Sequence, residues 1–414
     1  MEKISEMRAE ALRLFDIAIL AADPARAVER ALNSTKLSAE GTLYLVAVGK
    51  AAIPMMSAAL ARVKTGTQVE AIAVTNPENA APLKGCRVLQ SNHPVPDAAG
   101  EVAAHAVETL LSKTTPDDHV VALISGGGSA LLPAPAKGLT LADKARVNEV
   151  LLGSGLEIND MNHIRQQLSR LKGGGLLRIA APAPVTAYIL SDVVGDDLRA
   201  IASGPTVAPI GTRRSAKALL MKANIWKDMP GSVQAHLSTA EPEMPPLPAA
   251  NNHLIASNRH SLDAMRAACP QAQIISDRLE GNVADVAPQL AEIFRACPQD
   301  ELAVLLFGGE TTVTLKGDGK GGRNQELALR VALQDIDGDW VFLSGGTDGR
   351  DGPTDAAGGM VDSRSRDRMA AANSKVDALL DNNDAYAALS ASDDLVITGG
   401  TGTNVADVQI FIKG

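Results

Sequence analysis

Aromatic residues are almost missing from this chain, at 2% of 414 residues. Its interior must therefore be built from Ala, Leu, Val and Ile, within an ordinary apolar content of 45%. Cysteine is equally scarce. Cys86, Cys269 and Cys297 are odd in number and none sits in a C-x-x-C spacing, so a reduced, intracellular protein is the simple reading. A basic surplus is absent too. A net charge of −9 and a pI of about 5.4 argue against a protein that binds nucleic acid duplexes. They leave room for a local basic pocket that takes a small anion. No apolar run reaches membrane-spanning length, which argues against a membrane protein. Glu2, Glu6 and Glu10 break up the first residues, so no signal peptide is expected and the cytoplasm is the expected location.

Glycine, by contrast, recurs in a pattern. Four apolar runs of strand length break into Gly-Gly pairs: Val120–Ser125 into Gly126-Gly127, Ala303–Phe307 into Gly308-Gly309, Trp340–Ser344 into Gly345-Gly346, and Leu395–Thr398 into Gly399-Gly400. Continuous Val, Ile and Leu suit strands buried on both faces, as in parallel sheets. Glycine at a strand end leaves room for a ligand, and open α/β sheets bind ligands at the carboxyl ends of their strands. Strand-like and helix-like segments alternate along the chain, which predicts βαβ winding. Expected helices include Ile4–Ala22, Ala51–Val63 and Asn159–Lys172, and Thr140 with Asp143 opens another as a cap. The segment Ser238–Ala250, with four prolines, reads as a linker. We therefore expect two α/β domains with largely parallel sheets: a Rossmann-like domain over residues 1–240 and a second over 251–414. Leu254–Ala256 and Thr312–Lys316 are read as strands of the second domain.

Five segments can carry chemistry. In Ser125-Gly126-Gly127-Gly128-Ser129, successive glycine N–H groups can converge on phosphate oxygens, with both serine hydroxyls as added donors; a plain tight turn is the alternative. Val48-Gly49-Lys50-Ala51 puts Lys50 where a strand becomes a helix, a misplaced cation unless it serves a bound anion. Asp192, after the strand Val185–Leu190, can hold Mg²⁺ or accept a hydroxyl proton, or can simply close a turn. Gly317–Gly322 matches G-x-G-x-x-G, weak evidence alone for a dinucleotide site. The same loop leads to Arg323, suited to bidentate pairing with a phosphate or carboxylate. Gly345–Gly359 concentrates Asp348, Asp351 and Asp355 among six glycines and reads either as a solvated loop or as a source of metal or hydroxyl ligands. His93 reads as a loop residue and His163 as a structural or surface one.

Taken in order, Val48-Gly49-Lys50-Ala51, Ser125–Leu131, Lys172-Gly173-Gly174-Gly175, Ser191–Asp196, Ser203-Gly204-Pro205-Thr206, Gly308–Val313, Gly321–Glu326 and Thr347–Gly358 closely resemble the class II glycerate 2-kinases, whose C-terminal module is known as MOFRL. The resemblance spans nearly the whole chain. It implies ATP-dependent phosphorylation of D-glycerate to 2-phosphoglycerate with Mg²⁺, in the cleft between two α/β domains. Relatives are often labelled hydroxypyruvate reductase, so an NAD(P)H-dependent reductase is the alternative. On this resemblance the Ser125–Ser129 loop cradles ATP phosphates. Lys50 and Arg323 neutralise the transferring phosphoryl group and hold the glycerate carboxylate. Asp192 positions Mg²⁺ or takes the 2-hydroxyl proton, Glu310 is a further metal candidate, and Asp348 and Asp351 meet substrate hydroxyls. The partners expected are these small molecules, with homo-oligomerisation left open.

Overall fold

The computed structural model of the chain describes residues 2–241, 243, 245–298 and 301–414, and within them the apolar runs become twelve strands in two six-stranded sheets. By its contacts the chain divides into two compact units. One comprises residues 24–191 and 196–255; the other comprises the residues up to Asp23, a short return at 192–195, and 256–414.

The first unit holds β1 (Thr42–Val48), β2 (Gln68–Thr75), β3 (Arg87–Gln90), β4 (His119–Ile124), β5 (Val185–Leu190) and β6 (Ala250–Ala256), in the order β3-β2-β1-β4-β5-β6. Strands β1 to β5 pair in parallel, as the alternation of strands and helices predicts. The order is that of doubly wound dinucleotide folds, in which the winding reverses between the first and fourth strands. In the register Val48 lies beside Val74 and Ile124, so three strands end level at that reversal. Thr140 and Asp143 form the expected capping box: Thr140 Oγ1 accepts the Asp143 N–H at 3.1 Å and the Asp143 carboxylate accepts the Thr140 N–H at 2.8 Å. The helix expected at Asn159–Lys172 instead spans Ile158–Gln167, because the chain then turns back: the N–H of Arg170 bonds the Ala134 carbonyl and that of Gly173 bonds the Ser203 carbonyl. That turn carries Lys172 into the interior.

The second unit holds β7 (Ala272–Asn282), β8 (Ala303–Thr312), β9 (Trp340–Gly346), β10 (Gly358–Asp362), β11 (Leu395–Val396) and β12 (Asp407–Lys413), in the order β11-β10-β9-β12-β8-β7. Here the pairing is mixed. β7 and β8 are parallel, whereas β12 enters antiparallel between β8 and β9, and β10 runs antiparallel to β9 and β11. A buried strand covered on both faces reads as a continuous apolar run whichever way its neighbours point, so direction was not written in these segments. Gly308-Gly309 lies within β8 rather than at its end, whereas Gly345-Gly346 closes β9 as expected. A side chain at Gly308 would collide with Asn258, and one at Gly345 with the Phe15 ring; these glycines admit close neighbours. β8 runs on to Thr312, and the strand expected at Thr312–Lys316 is loop.

The linear division at residues 240 and 251 departs from the contacts at both ends of the first domain. The opening helix, Glu2–Ala21, buries Ile4, Met7, Ala11, Leu14, Phe15 and Ala18, a helical stripe. That stripe packs with Val341, Leu343, Val408 and Ile410 in the core of the second unit. Arg8 adds bonds from Nη1 to the buried carboxylates Asp362, at 2.6 Å, and Asp394, at 2.9 Å. At the other end β6 joins the first sheet, so the proline-rich segment connects the helix Gly231–Ser238 to an edge strand of the same unit. Residues 242 and 244 of that expected linker lie outside the described residues. Among the described residues no helix is long and apolar enough to cross a membrane.

Candidate active site

In the first unit, the turns after β1 and β4 are tied together at the reversal of strand order. The Lys50 N–H donates to the Gly126 carbonyl at 2.9 Å, the Ser125 N–H to the Val48 carbonyl at 2.9 Å, and the Ala51 N–H to Ser125 Oγ at 3.1 Å. Gly49 makes the crossing possible: its φ is +125°, and any Cβ there would overlap Ser125. Ser125 is fully buried and occupied by these bonds. It therefore fixes the loop instead of reaching a ligand, which corrects the expectation of two free serine donors. Gly127 has φ +82°, and the N–H groups of Gly127, Gly128 and Ser129 have no acceptor among the described residues. Three adjacent unpaired donors at a strand end form a nest for oxyanions.

Side chains converge on this nest from three further segments. A Cβ on Gly127 would come within 3.1 Å of His93 Cδ2 and 3.4 Å of Lys50 Cγ, so both side chains lie against the loop. His93, expected to be an idle loop residue, has its pKa lowered by burial and then by the Lys50 charge. Lys172 Nζ donates to Ser129 Oγ at 2.6 Å, and Ser129 Oγ lies 3.1 Å from Ser203 Oγ. Neither Lys172 nor Ser203 stood out by residue type or spacing: Lys172 closes the expected helix Asn159–Lys172, and Ser203 stands before Gly204-Pro205. His163 is structural as expected, with Nε2 between the Thr212 carbonyl and Ser215 Oγ.

In the second unit Arg323 is bound, not free. Nε and Nη2 grip Asp407 at 2.6 and 3.0 Å, and Nη1 meets Glu310 at 2.9 Å. Burial would lower the guanidinium pKa, but Asp407 and then Glu310 outweigh it and leave it raised. Asp407 is fully buried and stands opposite Gly309 of β8 and Gly346 of β9. The glycine pairs of β8 and β9 thus flank the arginine's counter-ion. Sequence reasoning missed Asp407; its signal was an acid opening the mostly apolar last strand. Glu310 is partly exposed, and its pKa is raised by burial first, Arg323 pulling the other way, with Asp407, Asp192 and Asp348 adding their charge. Asp192 and Asp348 therefore share one acidic field with Glu310.

Asp351 departs from its expected role. It is buried, and its carboxylate accepts the N–H of Asn324 at 3.1 Å, the N–H of Gln325 at 2.8 Å and Gln325 Nε2 at 3.0 Å. These bonds hold the start of the helix Arg323–Ala332 and hence Arg323, which leaves no oxygen for a substrate hydroxyl. Asp351→Ala should cost about 2–3 kcal/mol of stability, since two buried N–H groups lose their acceptor; denaturant unfolding measures it. Burial pushes the Asp351 pKa from 3.8 up to about 6 despite those N–H groups. A raised carboxyl pKa means that the folded state holds the proton more tightly. The contribution of the group to stability is therefore full below about pH 4 and lost as pH rises through about 6. Asp355 accepts the Tyr386 hydroxyl at 2.9 Å, and Asp348 accepts the Arg350 N–H at 3.0 Å in its own turn.

Residues 303–407 match the MOFRL family, and residues 10–238 match a domain of unknown function, DUF4147. The chain is 37% identical to a glycerate 2-kinase of Pyrococcus horikoshii, over 98% of this chain and 97% of that one. It is 40% identical to a putative hydroxypyruvate reductase of Agrobacterium vitis, over 97% and 93%. The crystal structure of a glycerate kinase from Thermotoga maritima superposes with a TM-score of 0.90 at 35% identity, covering 99% of this chain and 100% of that one. The full-length match and the paired domains together place this chain in the glycerate 2-kinase family that carries the DUF4147 and MOFRL domains.

Proposed function

We propose that this chain is a kinase that transfers the γ-phosphoryl group of ATP to the 2-hydroxyl of D-glycerate. The observation that carries the reading is the Gly127–Ser129 nest beside Lys50 at the reversal of strand order, where doubly wound sheets bind nucleotide phosphates. Phosphoryl transfer asks for positioning and charge neutralisation more than for covalent chemistry. Lys50 supplies the positive charge beside the nest. Arg323 Nη1, paired with Glu310 in the absence of substrate, turns to the glycerate carboxylate, with Nε and Nη2 committed to Asp407. Asp192 receives the hydroxyl proton or helps to hold the metal. Free cysteines at 86, 269 and 297 accord with a cytoplasmic location.

Among the described residues no group of three or more His, Cys, Asp or Glu side chains converges as a ready metal site. Mg²⁺ is ordinarily held by one or two carboxylates together with substrate phosphates. The hard oxygen donors Asp192 and Glu310, within one acidic field, fit that pattern. Bound there, Mg²⁺ would neutralise charge on the phosphate oxygens.

The reductase reading rests on Gly317–Gly322, and local packing speaks against it. Side chains at Gly317 and Gly319 would collide with Asn382 and Asp384, and one at Gly322 with Asp351. The loop's N–H groups at Lys316 and Gly317 already bond Asn383 Oδ1. These glycines serve packing within the unit and present no open phosphate cradle. Coupled assays run side by side decide the matter. ADP should form only when D-glycerate and ATP are both present, with 2-phosphoglycerate as product. NADH oxidation by hydroxypyruvate without ADP formation overturns the proposal.

A further inference from the structure

The first unit contains a group of cations, Lys144, Arg165 and Lys172, none of which has an anionic partner among the described residues. Lys172 is buried, and its Nζ reaches only the hydroxyl of Ser129 among the described residues. Lys144, on the helix Leu141–Leu152, has a buried Nζ with no partner. Arg165, on the helix Ile158–Gln167, bonds the neutral amides of Asn148 and Asn162. Arg170 alone is paired, with Glu108 of the helix Ala98–Leu111. No carboxylate among the described residues stands at ion-pair distance from Lys144, Arg165 or Lys172. A buried lysine without a counter-charge is costly and sheds its proton unless an anion arrives. Burial first, then Lys144 and Arg165, holds the Lys172 pKa well below that of a free lysine.

Around Lys172 the backbone is shaped to keep the contact. Ala202 and Ser203 both take positive φ, +49° and +60°, conformations that side-chain-bearing residues rarely adopt. Ser203, with 1% of its surface exposed, is thereby set against Ser129. The Gly173 N–H donates to the Ser203 carbonyl at 3.1 Å, which ties the lysine's own turn to the strained one. Lys172, Ser129 and Ser203 form one chain of polar contacts ending under the unpaired N–H groups of the nest.

We propose that Lys172 is a positioning residue of this site: acting through Ser129, it supplies the missing counter-charge to an oxyanion in the nest, and the arriving anion draws one proton from solvent onto its Nζ. The inference rests on the reading of the Ser125–Ser129 loop as an anion cradle. The oxyanion is a nucleotide phosphate or the carboxylate of the hydroxy acid, and the two are told apart by separate titrations with ADP and with D-glycerate.

Calorimetric titrations at pH 8 in two buffers of different ionisation enthalpy measure the protons taken up on binding. The wild-type chain should take up a fraction of a proton with one of the two ligands. Lys172→Arg, whose side chain stays charged, should bind that ligand within a few-fold of wild type and take up no proton. Lys172→Met should bind it about tenfold or more weakly, the scale of one charge-assisted contact. A merely structural lysine would leave proton uptake equal in the wild type and Lys172→Arg. Should Lys172→Met fail to fold, the arginine variant decides alone. Equal uptake in the wild type and the arginine variant with both ligands overturns the inference. Gly127→Val, titrated in parallel, separates the two levels. If that variant loses ADP while the lysine variants behave as wild type, only the role of Lys172 falls; if it binds both ligands normally, the cradle reading falls with it.

Discussion

Lys50→Ala should lower turnover with ATP and D-glycerate by about a thousandfold while the fold stays intact. The backbone of Lys50 is anchored by its N–H to the Gly126 carbonyl, a bond that alanine keeps, and its side chain is only half-buried. What the substitution removes is the cation lying along the Gly127 turn. Loss of one preorganised charge on a transferring group is worth roughly 4 kcal/mol, hence about three orders of magnitude in rate. Steady-state kinetics read the effect, and the melting temperature should move little. An independent readout comes from His93. Burial and then the Lys50 charge hold its pKa down, so in the alanine variant the imidazole should titrate at higher pH, visible by NMR. Near-normal turnover would remove Lys50 from the chemistry; an unmoved His93 titration would show that the two side chains do not share a field.

The first sheet was legible because its signals are local. An unbroken run such as Val120–Ile124 specifies a strand buried on both faces, and the residue types around Gly49 and Gly126–Gly128 specify tight turns at its end. What stayed hidden depends on which distant segments meet. Nothing near Asp407 in sequence announces that Arg323, 84 positions earlier, will take both its oxygens. Nothing near Gly308 announces the Asn258 side chain that fills the space beside it. The same physics misled the reading of Asp351: an acid among glycines looks like a ligand in a loop, but its carboxylate is used up by two backbone N–H groups at the start of the Arg323 helix. Lys172 was hidden for a related reason, since a helix that stops at Gln167 turns inward a residue that a longer helix would have carried onward.

Arg323→Met should destabilise the second unit by about 3–5 kcal/mol near pH 8, because it strands a carboxylate that has no access to water. The burial of Asp407, not the partly exposed guanidinium, carries this effect. Denaturant unfolding of the variant beside the wild type measures the loss. Adding Asp407→Asn removes the charge itself, and the double variant should recover most of the lost stability, since replacing both members of a buried pair costs far less than removing one. Turnover then separates the two roles of the arginine. If Arg323 only braces Asp407 and Glu310, the stable double variant works near the wild-type rate. If Nη1 meets the glycerate carboxylate as proposed, the double variant is folded yet has a KM for glycerate raised by roughly two orders of magnitude, as expected for the loss of a charge-assisted bond to a substrate anion.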